Sequence, residues 1–277
     1  MDYLRPRSLD EALALLVAGR ATVLAGGTDF YPARVGHAIS EDVLDIASLR
    51  ELRGIHEHDD HWRFGASTTW TEVIERELPG WFRCLQFAAR EVGGVQIQNA
   101  GTIAGNLCNA SPAADGVPAL LALDAEVELA STAGQRIVPL SGFITANRRT
   151  QRRPDELVVA IRIPKRSTRA RSAFLKLGSR KYLVISSVMV AGLVDLDSAG
   201  AISHAAFAVG ACSPVAQRLG SIEGRIAGRG CDPSLAGLVT VGDLGVLSPI
   251  DDVRGTADYR RDAALVLVRR LLTELSA

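Results

Sequence analysis

A short apolar run, Ala21-Thr22-Val23-Leu24-Ala25, passes without a break into Gly26-Gly27-Thr28-Asp29. A buried strand that meets paired glycines must turn sharply. Glycine accepts φ > 0 and lets the backbone approach another group closely. Successive N–H groups in such a turn can converge on an anion, and Thr28 adds a hydroxyl donor. A plain strand-to-loop turn accounts for the same residues. The feature therefore demands a strand and a turn and leaves the ligand open.

The surrounding pattern alternates helices and strands. Ser8 and Glu11 have capping-box spacing, and Leu9, Leu13 and Leu16 share one helical face until Gly19. A second strand is expected near Val43 to Ile46. Residues 55–66 read as a hairpin turning at His58-Asp59-Asp60. Thr69 and Glu72 form another capping-box pair before Val73, Ile74 and Leu78, and Pro79-Gly80 stops that helix. Trp81, Leu85, Ala88 and Ala89 suit a further helix ending at Gly93-Gly94. Strands at 126–131 and 136–140 flank the turn Thr132-Ala133-Gly134, and Leu157 to Ile163 is a strand that closes this half. The stretch Pro164 to Arg171, basic and containing Ser, Thr and Pro, reads as a solvated linker. Beyond it, Tyr182 to Asp197 and Ala201 to Gly210 form a long antiparallel hairpin turning at Ser198-Ala199-Gly200. The last helix is expected over Asp258 to Leu275, with Leu265, Val268 and Leu272 inside.

A second polar segment, Asn99-Ala100-Gly101-Thr102-Ile103-Ala104-Gly105-Asn106-Leu107-Cys108-Asn109, mixes small residues with amides and a hydroxyl. It is expected as a loop wrapping a polar ligand, with Ser111-Pro112 opening the next helix. Asp115 follows, where a carboxylate could serve a helix dipole or accept from ligand hydroxyls. Neither segment is a dinucleotide-binding or phosphate-loop fingerprint. Two anion-cradling loops far apart in sequence suit a ligand with a pyrophosphate and two polar ends.

Composition narrows the classes. Lys and Arg total 31 and so do Asp and Glu, so the chain is neutral and has no broad attraction for nucleic acid. No apolar run reaches the ~20 residues of a membrane span. Cys84, Cys108, Cys212 and Cys231 are far apart, which gives no support to zinc or iron–sulfur ligation. A cytoplasmic protein with reduced thiols is the economical reading. His56, His58 and His61 with Asp59 and Asp60 look like a metal cluster on paper, but fit a solvated hairpin turn better. Cys108 is expected to be a small buried thiol, and Lys176 alone reads as an outward strand residue.

Taken together, these segments resemble the FAD-binding medium subunit of molybdenum hydroxylases, the group of xanthine and carbon monoxide dehydrogenases. Ala25-Gly26-Gly27-Thr28-Asp29 is similar to that family's first flavin motif. Thr102-Ile103-Ala104-Gly105-Asn106-Leu107, with Asn109, Ser111 to Asp115 and Pro118 to Leu123, is similar to its second. The resemblance continues through Phe174 to Arg180, Gly210 to Pro214 and Tyr259 to Arg261, and so spans nearly the whole chain.

The resemblance implies an α+β fold: a two-lobed PCMH-type FAD-binding domain over residues 1–168, with lobes of about 1–55 and 56–168. A C-terminal domain over 170–277, a three-stranded antiparallel sheet with helices on one side, would follow. FAD would lie between the two domains. Val23, Leu24, Ala25, Gly26, Gly27, Thr28, Asp29 and Phe30 would wrap it, with the glycines and Thr28 near the pyrophosphate. Thr102, Ile103, Ala104, Gly105 and Asn106 would form the second cradle. Asp115 would bond the hydroxyl-bearing part and Lys176 would reach the flavin end. The family usually has Gly where this chain has Ala104; that methyl matters only if the residue needs φ > 0 or sits against the phosphates. No His occupies the first glycine loop, which implies non-covalent FAD. The implied role is electron transfer from [2Fe–2S] centres on a small subunit, through FAD, to NAD or another acceptor. The molybdenum cofactor would sit on a molybdopterin-binding large subunit. No catalytic side chain and no metal ligand is assigned to this chain. A stand-alone FAD-dependent reductase of the same fold is the alternative.

Overall fold

The computed structural model describes residues 1–19, 21–181 and 183–277. Tyr182, the expected first residue of the long hairpin, lies outside the described residues. The first lobe contains β1 (Tyr3–Leu4), α1 (Leu9–Ala18), β2 (Thr22–Leu24) and β3 (Val43–Asp45). Its strands form a parallel sheet in the order β1-β3-β2. α1 begins where Ser8 Oγ accepts the Glu11 N–H at 3.2 Å. Glu11 instead accepts from the Arg7 N–H, so only half of the expected capping box forms. Ala12, Leu13 and Leu16 pack on Leu44, Ile46, Leu49 and Leu52, and this core also takes in Ala130, Leu157 and Val159 from the second lobe.

The second lobe opens with the hairpin β4 (Ile55–Glu57) and β5 (His61–Gly65), turning where expected. α2 (Trp70–Glu75) starts at Thr69, where both bonds of the capping box with Glu72 are present. Trp81 lies in a 3-10 turn that leads into α3 (Arg83–Glu91). The polar stretch expected as a loop is instead two short helices, α4 (Val95–Ala100) and α5 (Ile103–Asn109). Thr102 Oγ1 caps α5 by accepting the Gly105 N–H at 3.1 Å, and Ile103, Ala104 and Leu107 supply a buried face. The Gly and Asn content conceals a helix that has polar residues on one side only. Ser111-Pro112 does not open a helix: residues 111–114 form a turn and α6 begins later (Gly116–Ala122).

β6 (Glu126–Ser131) and β7 (Gly134–Pro139) form the expected hairpin. They are followed by α7 (Leu140–Phe143), β8 (Ile144–Ala146), β9 (Arg149–Thr150) and β10 (Leu157–Pro164). The lobe's main sheet is antiparallel in the order β4-β5-β10-β6-β7. Phe64, Trp70, Phe82, Leu85, Leu107 and Leu120 are fully buried beside it.

The remainder contains β11 (Arg171–Leu177), β12 (Val188–Leu196), β13 (Ile202–Gly210), β14 (Gln217–Arg218), α8 (Gly220–Ile226) and α9 (Ala257–Leu275). Three long antiparallel strands match the expectation, but the sheet has four: β14 pairs Arg218 with Ala208 and Gln217 with Val209. Two residues carry no readable periodicity. Side chains alternate across the sheet. Val190, Val194, Phe207 and Val209 face α9 through Val268, Leu271 and Leu272. Met189, Ala191, Leu193 and Ala208 join the second lobe's core. Val268 and Leu272 are buried on the inner face of α9 as expected, whereas Leu265 is half-buried at its margin.

The segment read as a solvated linker is pinned along its length. Lys165 pairs with Glu57 at 2.8 Å, Arg166 pairs with Asp124, the Ser167 N–H donates to Asp195 at 3.1 Å, and Arg171 reaches the Ala277 carbonyl at 3.2 Å. Among the described residues, no helix is long and apolar enough to cross a membrane.

Candidate functional site

The two glycine-bearing segments meet. Gly26 lies so close to Ala100 that a Cβ there would stand 1.9 Å from the Ala100 carbonyl oxygen. Thr28 Oγ1 lies 3.4 Å from the position a Gly101 Cβ would take. Gly27 has φ +72, the left-handed region, and its Cβ position is 2.8 Å from the Tyr31 ring. Both segments line one cavity of about 750 Å³ between the two lobes.

Backbone donors distinguish the two walls. Among the described residues, the N–H groups of Gly26, Gly27, Thr28, Asp29 and Phe30 donate to no protein acceptor. Five consecutive free donors around a left-handed residue make a site for an acceptor-rich, anionic group. In the second segment the donors are spent: Ile103 N–H bonds Thr68 O at 2.9 Å, Ala104 N–H bonds Ala66 O at 3.3 Å, and Gly105 N–H bonds Thr102 Oγ1. This wall offers side chains instead. Thr102 keeps its hydroxyl proton free, and Asn106 Oδ1 is buried without a partner. An orphaned acceptor beside a polar cavity costs stability unless something donates to it. Ala104 lines the cavity on helical backbone, outside the residues with φ > 0, so its methyl creates no backbone strain.

Val23, Ala25, Gly26, Gly27, Thr28, Asp29, Phe30, Thr102, Ala104, Gly105 and Asn106 all line the cavity. Leu24 and Ile103 are buried behind it. Asp115 and Lys176 do not line it. They form an ion pair at 2.8 Å, with Ser186 Oγ donating to Asp115 at 2.7 Å and Lys176 also donating to the Glu91 carbonyl at 3.2 Å. Burial pushes the Asp115 carboxyl up, and Lys176 and Ser186 oppose that shift. Lys176, read from sequence as an outward strand residue, is thus enclosed. Among the described residues, those that line the cavity end at Val158, so the cavity lies between the two lobes of the first half.

Other lining residues carried no local signal. Cys108 is exposed on the cavity wall, not buried. Arg34 lies over the Phe30 ring at 3.8 Å and pairs with Glu41. Arg148 and Arg152 come from the β8–β9 hairpin and the turn after it.

Residues 1–166 match the family model for the FAD-binding domain in molybdopterin dehydrogenase. The chain belongs to this family. Residues 173–275 match the carbon monoxide dehydrogenase flavoprotein C-terminal domain. Relatives include the carbon monoxide dehydrogenase medium chain of Afipia carboxidovorans, 31% identical, with 100% of this chain and 96% of that one covered. The xanthine dehydrogenase FAD-binding subunit of Escherichia coli O157:H7 is 30% identical, with the same coverages. Among solved structures, Cu,Mo-carbon monoxide dehydrogenase in its cyanide-inactivated form superposes with a TM-score of 0.92 at 28% identity, covering 100% of this chain and 97% of that one. The protein is thus an FAD-binding flavoprotein subunit of the molybdenum hydroxylase family. The free N–H groups of Gly26 to Phe30 and the unpartnered Asn106 Oδ1 belong to residues that line one cavity, and such donors and an acceptor fit a cofactor with a diphosphate and polar ends.

Proposed function

We propose that this flavoprotein subunit passes electrons from [2Fe–2S] centres on a small subunit to NAD or another acceptor, with a molybdopterin-binding large subunit oxidising the substrate. The assembly is read as cytoplasmic, with non-covalent FAD. Residues 1–168 serve as the cofactor domain and 170–277 as the C-terminal domain. FAD, when bound, supplies reversible exchange of one or two electrons. The chain's part is to bind and orient it. The backbone N–H groups of Gly26 to Phe30 would hold its anionic centre, while Thr102 and Asn106 would bond its polar groups. Val23, Ala25, Ala104 and Gly105 would shape the walls, and Leu24 and Ile103 would back them. The Asp115–Lys176 pair would fix the enclosed polar junction between α6 and β11, close to the cofactor's far end.

The run of unpaired donors from Gly26 to Phe30 carries this reading. Its test is purification of the chain expressed together with its genomic neighbours. A complex containing flavin, iron–sulfur and molybdenum, whose flavin absorbance bleaches on addition of substrate, is the expected result. A chain that runs alone and turns over its own substrate with NAD(P)H would replace this reading with a stand-alone reductase.

A further inference from the structure

Two arginines on the cofactor cavity have no carboxylate partner among the described residues. Arg148 donates to the Asn109 carbonyl at 3.2 Å and to the Asn109 side-chain oxygen. Arg152 donates to the carbonyls of Arg153, at 3.0 Å, and Glu156, at 2.7 Å. All four acceptors are neutral. Some arginines of this fold are matched by acids, as Arg136 is by Glu156, Arg218 by Asp124 and Glu223, and Arg260 by Asp252, whereas Arg180, Arg229 and Arg269, away from the cavity, also donate to carbonyls; what sets Arg148 and Arg152 apart is their place on the cavity wall. Among the described residues a third arginine on the cavity, Arg34, has Glu41. Asp29 is the one carboxylate lining the cavity among the described residues, and it pairs with neither Arg148 nor Arg152. The cavity therefore carries excess positive charge, and a concave wall concentrates the field of such charge.

The placement of Arg148 is also held against local preference. Its φ is 59, and that of Ala110 at the end of α5 is 48, both in the left-handed region. The Arg148 N–H donates to the Ala110 carbonyl at 2.9 Å, which ties the β8–β9 turn to α5. Strained backbone of this kind persists where surrounding structure enforces it, and it clusters at ligand sites.

We propose that Arg148 and Arg152 are the charge partners of the bound cofactor's diphosphate, reaching it from the second lobe while the free N–H groups of Gly26 to Phe30 reach it from the first. This rests on the FAD reading and adds residues outside the two glycine-bearing segments. A guanidinium matches phosphate oxygens in bidentate geometry, which backbone N–H groups alone do not neutralise.

FAD titration into the cofactor-stripped full chain, followed by quenching of flavin fluorescence over a series of KCl concentrations, tests it. R148Q and R152Q are each expected to weaken FAD binding by about tenfold or more. Each should also flatten the dependence of affinity on salt, because one phosphate contact fewer is screened. R148K keeps the charge and should retain the salt dependence. Affinities within about twofold of the parent would overturn the proposal. So would weakened binding with an unchanged salt dependence, since that is what a purely structural role gives. If the parent chain takes up no FAD, the cofactor reading falls and this assignment falls with it; if the parent binds and the variants match it, only the arginine assignment fails.

Discussion

Gly26 is constrained by space, while Gly27 beside it supplies the left-handed φ of the turn. A methyl group at Gly26 would fall inside the van der Waals radius of the Ala100 carbonyl. Gly26→Ala should force the first lobe away from α4, lower the stability by about 1–3 kcal/mol and weaken FAD uptake, as read by thermal melting and flavin titration. A variant with parental melting and affinity would show that the two segments do not need this contact. Asp243 gives a second residue-scale expectation. Burial works against its charge, but the Thr240 N–H, the Ser221 hydroxyl and Arg225 outweigh it and hold the carboxyl down to about 2. The folded-state value lies below the ordinary 3.8, so the stabilisation is complete above that value and is lost as pH falls through about 2. Asp243→Asn should destabilise the protein in urea near neutral pH, and the gap from the parent should narrow as the pH is lowered from about 4 toward 2. A gap independent of pH would contradict this. The glycine turn was readable because its backbone demand is local; the partners of Asp243 were not, since Ser221 and Arg225 lie on α8, apart from it in sequence.

At the scale of elements, α5 shows what composition hides. Its sequence reads as loop because Gly105, Asn106 and Asn109 are poor helix formers. Thr102 and the burial of Ile103 and Leu107 override that preference. Thr102→Ala removes the cap and should cost about 1 kcal/mol. It should also raise amide exchange in α5 selectively, while the twin cap at Thr69 on α2 stays protected. Uniform exchange across both helices would mean that the cap is dispensable. The hairpins, in contrast, were legible in sequence: alternating side chains and turn residues fix register over a few positions. β14 was not, because a two-residue strand exists only where β13 offers it an edge.

Across the whole molecule, Asp124 ties the two halves together. It accepts from Arg218 at 2.6 Å, pairs with Arg166 and lies 2.9 Å from His204 Nε2. Burial opposes its charge, but His204, Arg218 and Arg166 outweigh that and hold its carboxyl well below the usual range. Asp124 is about one-third exposed, so solvent screens part of the effect. Asp124→Ala should cost about 1–3 kcal/mol and separate the unfolding of the C-terminal sheet from that of the first half in calorimetry. A single unshifted transition would show that the apolar contacts of β12 and β13 suffice. The sequence by itself determined the longer strands, the hairpin turns, the glycine turn and the capping box at Thr69, because each depends on φ/ψ preferences and side-chain periods within a few residues. Only the tertiary structure decided which polar groups are consumed by one another. Asp115 and Lys176 are enclosed as a pair, the α5 donors are spent on Ala66 and Thr68, and the N–H groups of Gly26 to Phe30 remain free. Those outcomes depend on which distant segments the packed core brings within hydrogen-bond distance, and no local preference encodes that.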